Sequence, residues 1–173
     1  MLDGVVQRTP DFGATWERRN EKLDFPAESE HLVRKVWQPG GGGLMVHTIL
    51  VDPQDPNRIY VAISAAGTYR SDDGGKSWTA KNKSVRADFM PEKYPVFGQC
   101  VHKLAMHPAK PDMLYQQNHC GVYRSENRGD DRSEITEGLP DTAHLTVLRE
   151  AMAVDSADQC GVYVGNIAGG LSR

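Results

Sequence analysis

An all-β repeat fold is what this chain of 173 residues predicts, and three observations carry the prediction. Short runs of branched and aromatic residues alternate with clusters of Gly, Pro, Asn and Asp. An eight-residue turn pattern recurs, and the strand-like runs around it recur with it. Branched and aromatic side chains suit the pleated surface of a strand, the punctuating residues suit turns, and self-similarity at a period of tens of residues marks a stacked repeat.

The first unit is partial. It carries Thr9-Pro10-Asp11-Phe12-Gly13-Ala14-Thr15-Trp16, which reads hydroxyl, any, Asp, any, Gly, any, hydroxyl, Trp. The second unit offers three β-runs, His47–Pro53, Arg58–Ser64 and Gly67–Arg70, and then the same turn as Ser71-Asp72-Asp73-Gly74-Gly75-Lys76-Ser77-Trp78. The third answers with His102–Pro108, Met113–Gln117 and Gly121–Arg124. Its turn is eroded: Ser125 and Gly129 stay, Asp softens to Asn127, and the Trp is lost. The last unit has Val147–Asp155, Gly161–Gly165 and Gly170–Arg173. Copies of the turn start 62 and 54 residues apart, at Thr9, Ser71 and Ser125.

Taken singly, the segment YRSDDGGKSW invites two chemical readings, and both are weak. A calcium loop of the EF-hand kind needs alternate carboxylates and a Glu at its twelfth place, where this chain has Lys83. A phosphate loop needs a further Gly five residues before Gly75, where this chain has Arg70, and a helix after Ser77. Recurrence favours a structural turn, in which Asp accepts from backbone N–H groups, Gly supplies a positive φ and Trp packs back between units.

The pattern Ser/Thr-x-Asp-x-Gly-x-Ser/Thr-Trp resembles the Asp-box, or BNR repeat, of sialidases, xyloglucanases, sortilin-type receptors and a photosystem II assembly factor. The stretches PGGGGLMVHTILVDP, FGQCVHKLAMHP and LYQQNHCGVYRS look like a bacterial group of sialidase-like, glycosyl hydrolase BNR-repeat proteins. The resemblance implies a β-propeller of four-stranded antiparallel blades. Its Asp-box residues are Thr9, Asp11, Gly13 and Trp16, then Ser71, Asp73, Gly75 and Trp78, then Ser125, Asn127 and Gly129, on the rim away from the ligand face.

On that reading the whole of 1–173 is one incomplete propeller: an outer half-blade over 1–20, blades over 45–83 and 100–136, and an inner half-blade over 145–173. These make about three blade equivalents, whereas closed propellers have about four to eight. Two readings stay open. The chain is a fragment or shortened relative of a longer propeller, or a second copy closes a ring as a homodimer.

A formal net charge of −3 and a pI near 6.1 give no reason to expect nucleic acid, whose backbone demands a basic stripe, and the run Lys81, Lys83, Arg86 reads as solvated surface. No apolar stretch is long enough for a membrane span. Met1–Gly4 lacks the charged and apolar regions of a leader, so the expected location is cytoplasmic, unless a truncated gene has lost its leader. Cys100, Cys120 and Cys160 lack paired metal spacing and read as reduced, structural thiols.

The candidate site comes from the first strand of each unit, which lines the channel of a propeller. Units aligned on Asp52, His107 and Asp155 place His47, His102 and Glu150 at one equivalent position, five residues earlier. Glu150 would act as acid or base, the histidines as ligand-binding hydrogen-bond partners or, in a two-His, one-Glu set, as metal ligands, and Arg149 as an anion clamp. Asp88 and Arg86, on the long connection before Cys100, could reach the same face and supply a second catalytic carboxylate and another ligand contact. The alternative is that these side chains simply fill the channel. Trp37, before Gly40–Gly43, reads as a blade filler or a sugar platform, and His119 as a turn residue. No metal or other cofactor is assigned.

A true sialidase would carry a Phe/Tyr-Arg-Ile-Pro segment, which is absent here. A xyloglucanase-like mechanism would need two opposed carboxylates about 5 to 10 Å apart, for which Glu150 and Asp88 are the nominees. The expectation is a sialidase-like or glycosyl hydrolase-like propeller that binds a glycan or small polar ligand at the channel mouth. A non-catalytic scaffold for another protein is the alternative.

Overall fold

The computed structural model describes residues 6–19, 45–64, 66–139, 147–166 and 171–172. Trp37 and Gly40–Gly43 lie outside the described residues, as do the side chains of Arg149 and Glu150. Strands and turns, with no helix, make up the described residues. All strand pairings are antiparallel.

β1 (Gln7–Arg8) pairs with β2 (Glu17–Arg18). A four-stranded meander follows, β3 (Val46–Asp52), β4 (Asp55–Ile63), β5 (Gly67–Ser71) and β6 (Thr79–Ala80), adjacent in chain order. The next repeats it with β7 (Val101–His107), β8 (Lys110–Asn118), β9 (Gly121–Ser125) and β10 (Ser133–Ile135). A three-stranded sheet closes the series with β11 (Val147–Val154), β12 (Val162–Asn166) and β13 (Leu171–Ser172). The expected all-β, antiparallel class holds, and the described sheets do not close on themselves.

The sheets stack face to face in chain order, and the alternation of side chains along a strand explains how. On β4, Ile59, Val61 and Ile63 join Val6, Tyr69, Trp78 and Phe97 in one cluster, on the side of β1 and β2. Tyr60 and Ala62, on the opposite face, pack with Val101, Leu104 and Leu114 of the following sheet. On β8 the division repeats: Leu114 faces back, and Tyr115 faces forward into a cluster with Val122, Met152 and Val164. The second strand of each meander is therefore covered on both faces, so it reads as a continuous apolar run. Hydrogen bonds cross the same seam: Thr68 Oγ1 donates to Gln116 Oε1 at 2.8 Å, and the Leu104 backbone N–H donates to Thr48 Oγ1 at 3.2 Å.

The three recurring turns share one hydrogen-bond pattern. The leading hydroxyl donates to the carboxylate or amide oxygen two residues on: Thr9 to Asp11 (3.0 Å), Ser71 to Asp73 (2.8 Å) and Ser125 to Asn127 (3.0 Å). It also accepts from the turn glycine, Gly13 N (2.6 Å), Gly75 N (2.8 Å) and Gly129 N (2.8 Å). Those glycines have φ of 97, 91 and 86°, in the region that disfavours a Cβ. Each acid or amide then accepts from the backbone N–H of Thr15, Ser77 or Asp131.

In the first two turns the second hydroxyl donates to the carboxylate, Thr15 Oγ1 at 2.7 Å and Ser77 Oγ at 2.6 Å. The third turn inverts that bond: Asn127 Nδ2 donates to Asp131 Oδ2 at 3.1 Å. The change to Asn127 is thus matched by a carboxylate at the second hydroxyl's place, and the bond survives with donor and acceptor exchanged.

The tryptophan position has an equally specific job. Trp78 is buried, and its Nε1 donates to Arg19 O at 2.7 Å and Gly75 O at 3.2 Å, stapling its turn to the preceding sheet. In the third copy Arg132 takes this slot, 5% exposed, and its Nη1 donates to the equivalent carbonyls of Lys81 and Gly129. Trp16 has no preceding sheet among the described residues and is 60% exposed.

Candidate functional site

At the edge opposite the recurring turns, each meander presents the start of its first strand, the end of its second and the turn to its third. The pairs Val46 with Ile63 and Ile63 with Gly67 lie there, as do Val101 with Asn118, Asn118 with Gly121, and Val147 with Asn166. The ladder is irregular at this edge in all three sheets. Register shifts fall between Val46 and Thr48, between Val101 and Lys103, and between Val147 and Met152. His47, His102 and Glu150 sit inside those three shifts. A bulge frees one residue from the ladder and re-aims its side chain, so the repeat position singled out in the sequence is the place where the backbone is distorted.

His47 and His102 come together: their rings are 6.1 Å apart, centroid to centroid, edge to face. His102 is almost fully buried, with Gln117 Nε2 at 3.3 Å from its Nδ1. A third histidine completes the group. His119, in the exposed turn between β8 and β9, brings its Nε2 to 3.2 Å from His102 Nε2, ring centroids 4.3 Å apart. Cys100 Sγ lies 3.7 Å from His102 Nε2 and 3.3 Å from Ser64 Oγ. Soft and borderline metal donors are therefore concentrated here: one ligand atom each from Cys100, His102 and His119, all within 4.8 Å of one another.

The connection from β6 to β7 lies over the same edge. It contains no regular strand, yet Val85 and Ala87 are fully buried. The buried Gln99 braces it by donating from Nε2 to Pro95 O (2.6 Å) and Val85 O (3.2 Å). Asn118 Nδ2 donates to Arg86 O, and Asp88 N to Cys120 Sγ, which fastens residues 86–88 against the β8–β9 turn. Phe89 then meets His119 edge-on at 6.2 Å.

Arg86 and Asp88 are thus brought to the cluster's margin. The Arg86 guanidinium binds Glu134 (3.1 Å) and the Cys120 carbonyl, and reaches toward Asp88 at 3.6 Å. Burial works against its charge, but the fields of Glu134, Tyr123 and Asp88 outweigh that and hold its pKa above the usual value. Burial pushes the neighbouring Cys120 thiol up, the behaviour of a packed, unreactive cysteine. Arg149 and Glu150 are carried on β11 at the same edge.

Two cavities among the described residues are lined by neither His102 nor His119. One of about 600 Å³ runs along the outer strands, lined by Asn82, Lys83, Tyr94, Arg132 and Glu134 among others. Another of about 240 Å³ opens between the second meander and the last sheet, beside Tyr115, Arg124, Glu137 and Cys160. The histidine cluster is distinguished from both by convergent metal-ligating side chains on distorted backbone. Sequence reasoning left Cys100, Gln117 and His119 out of the site. The short spacing of Cys100 and His102 was the signal that could have drawn attention to them.

No protein-family model matches the chain, and no curated protein matches it. Among solved structures it is similar to the GH74 xyloglucanase from Xanthomonas campestris, at 21% identity and a TM-score of 0.57, over 93% of this chain and 22% of that one. It also matches an ancestral GH74 enzyme at 24% identity and a TM-score of 0.43, over 60% of this chain and 12% of that one. The similarity to the xyloglucanase shows the fold alone: the chain has the architecture of part of a β-propeller and spans about a fifth of that enzyme's length.

Proposed function

We propose that the chain is an Asp-box propeller portion that binds a glycan at the edge formed by the starts of β3, β7 and β11. One observation carries the reading. Three equivalent first strands are each distorted at the residue that bears His47, His102 or Glu150, on an edge where Phe89 and His119 also gather. Sugars are held by hydrogen bonds from polar side chains beside aromatic faces, and this edge supplies both kinds of group.

Hydrolysis is the finer form of the same reading. It requires the Glu150 carboxyl to stand opposite a second carboxyl, with Asp88 the nominee. The fold alone does not supply that chemistry, because one fold hosts many activities. A sialidase-like substrate is the weaker option, since the Phe/Tyr-Arg-Ile-Pro segment is missing.

Completion of the ring belongs to the proposal as well. Trp78 and Arg132 are each buried against the preceding sheet, whereas Trp16 stands exposed. A second copy of the chain is the partner that would cover it.

Calorimetric titration with xyloglucan oligosaccharides, and in parallel with sialylated glycans, tests the binding site. The expected result is saturable binding that falls at least about tenfold in His47→Ala and Glu150→Gln. Unchanged binding in both variants overturns the assignment of the edge. Light scattering on a sizing column reads the partner: a discrete dimer is expected, and a monomer at micromolar concentration overturns the ring.

A further inference from the structure

We propose that Cys100, His102 and His119 form a binding site for a soft divalent transition metal ion of the zinc class, one ion per chain. The argument starts from distances. Tetrahedral zinc with bonds of about 2.05 Å to nitrogen and about 2.3 Å to sulfur separates its ligands by about 3.3 Å for a nitrogen pair and about 3.6 Å for nitrogen and sulfur. His102 Nε2 and His119 Nε2 are 3.2 Å apart, and His102 Nε2 and Cys100 Sγ are 3.7 Å apart. Two of the three separations already match. The third, from Cys100 Sγ to His119 Nε2, is within 4.8 Å and needs a closure of at most about 1.2 Å. His119 is an exposed turn residue, so a small rotation of its ring supplies that closure.

The donor set selects the class of ion. A thiolate and two imidazoles suit zinc and its neighbours in the first transition row, while calcium and magnesium demand oxygen ligands. The surroundings support the ligands from behind. Turning the Gln117 amide about its last bond puts Oε1 where Nε2 stands, 3.3 Å from His102 Nδ1. That oxygen would accept the Nδ1 proton and leave the Nε2 lone pair facing the ion, the usual second-shell device of metal-bound histidine. Ser64 Oγ, 3.3 Å from Cys100 Sγ, is placed to donate to the thiolate.

Three protein ligands leave a fourth tetrahedral position open, the arrangement of reactive zinc sites. His119 lies on the solvent side of the buried Cys100 and His102, which gives the ion a route in. Bound there, the ion ties the start of β7 to the β8–β9 turn.

The test is cobalt(II) titration of the full chain, followed by zinc competition against a coloured chelator. A thiolate-to-cobalt charge-transfer band saturating at one ion per chain, with the intense visible bands of a tetrahedral site, is expected, and zinc should displace it. Cys100→Ser should abolish the charge-transfer band. His119→Ala should weaken binding by about 100-fold or more with an unchanged circular dichroism spectrum, since the residue is exposed. Gln117→Ala should weaken it by about 10- to 100-fold. Cys120→Ser and Cys160→Ser should leave the band intact. No charge-transfer band, no saturation at one ion, a band that survives Cys100→Ser, or unchanged affinity in a folded His119→Ala chain would each overturn the site.

Discussion

Replacing Arg132 by Trp should stabilise the protein, because the slot it fills is built for an indole. In the second turn Trp78 occupies the equivalent place and satisfies its single donor with the carbonyls of Arg19 and Gly75. Arg132 reaches the matching carbonyls through Nη1 alone. Its Nε and Nη2 are buried without a hydrogen-bonding partner among the described residues, and burial lowers its pKa to about 10. A buried polar group left unsatisfied costs about 1–3 kcal/mol, so two nitrogens cost about 2–6 kcal/mol. The indole removes both and keeps the shared bond, against an overpacking penalty of about 1–3 kcal/mol for its larger volume. The net expectation is a gain of about 1–3 kcal/mol.

For a chain of this length each kcal/mol moves Tm by about 2–4 °C, so thermal melts and urea unfolding should both register the change. Arg132→Met separates charge from shape, since it removes the guanidinium without demanding room for an indole. Trp78→Arg runs the exchange backwards and should cost about 3 kcal/mol or more. If Arg132→Trp and Arg132→Met both lower the midpoint, the guanidinium is stabilising where it sits, and the reasoning fails.

Other expectations test the turns. Gly75→Ala forces a Cβ to 2.9 Å from the Arg19 Cβ at a φ of 91°, whereas at Gly13 a Cβ meets nothing within 4 Å. Gly75→Ala should therefore cost more than the roughly 1–2 kcal/mol of left-handed backbone strain expected at Gly13→Ala, and equal midpoints would remove the steric argument. Asn127→Asp places two carboxylates together and should destabilise, while Asn127→Asp with Asp131→Ser restores the pattern of the second turn and should recover the loss; a double variant no better than the single one would contradict the inverted hydrogen bond. Hydroxyl donors hold the Asp11 and Asp73 carboxyls below the usual range, Thr15 being the main cause for the first and Ser77 for the second. Their contribution is fully present above the unfolded value near pH 4 and lost as pH falls below it. The urea midpoint should fall more between pH 5 and pH 2 in the parent than in Asp11→Asn with Asp73→Asn, and parallel curves would count against it.

The turns were legible in the sequence because their physics is local. Ser71, Asp73, Gly75 and Ser77 bond to one another within four residues, so a spacing of residue types records the geometry directly. The all-β class was legible for a similar reason, through short apolar runs between turn residues. The equivalence of His47, His102 and Glu150 also came from spacing, since a repeat puts equal offsets at equal places. Tertiary structure alone decided what those places are like. That Arg132 fills an indole slot depends on the carbonyl of Lys81, 51 residues away in the chain. That His119 joins His102 and Cys100 depends on β8 turning back beside β7, and on the bulge at His102 that releases its ring from the ladder. A sequence names the donors a chain carries, but the distances between them arise only when strands far apart in the chain are packed edge to edge.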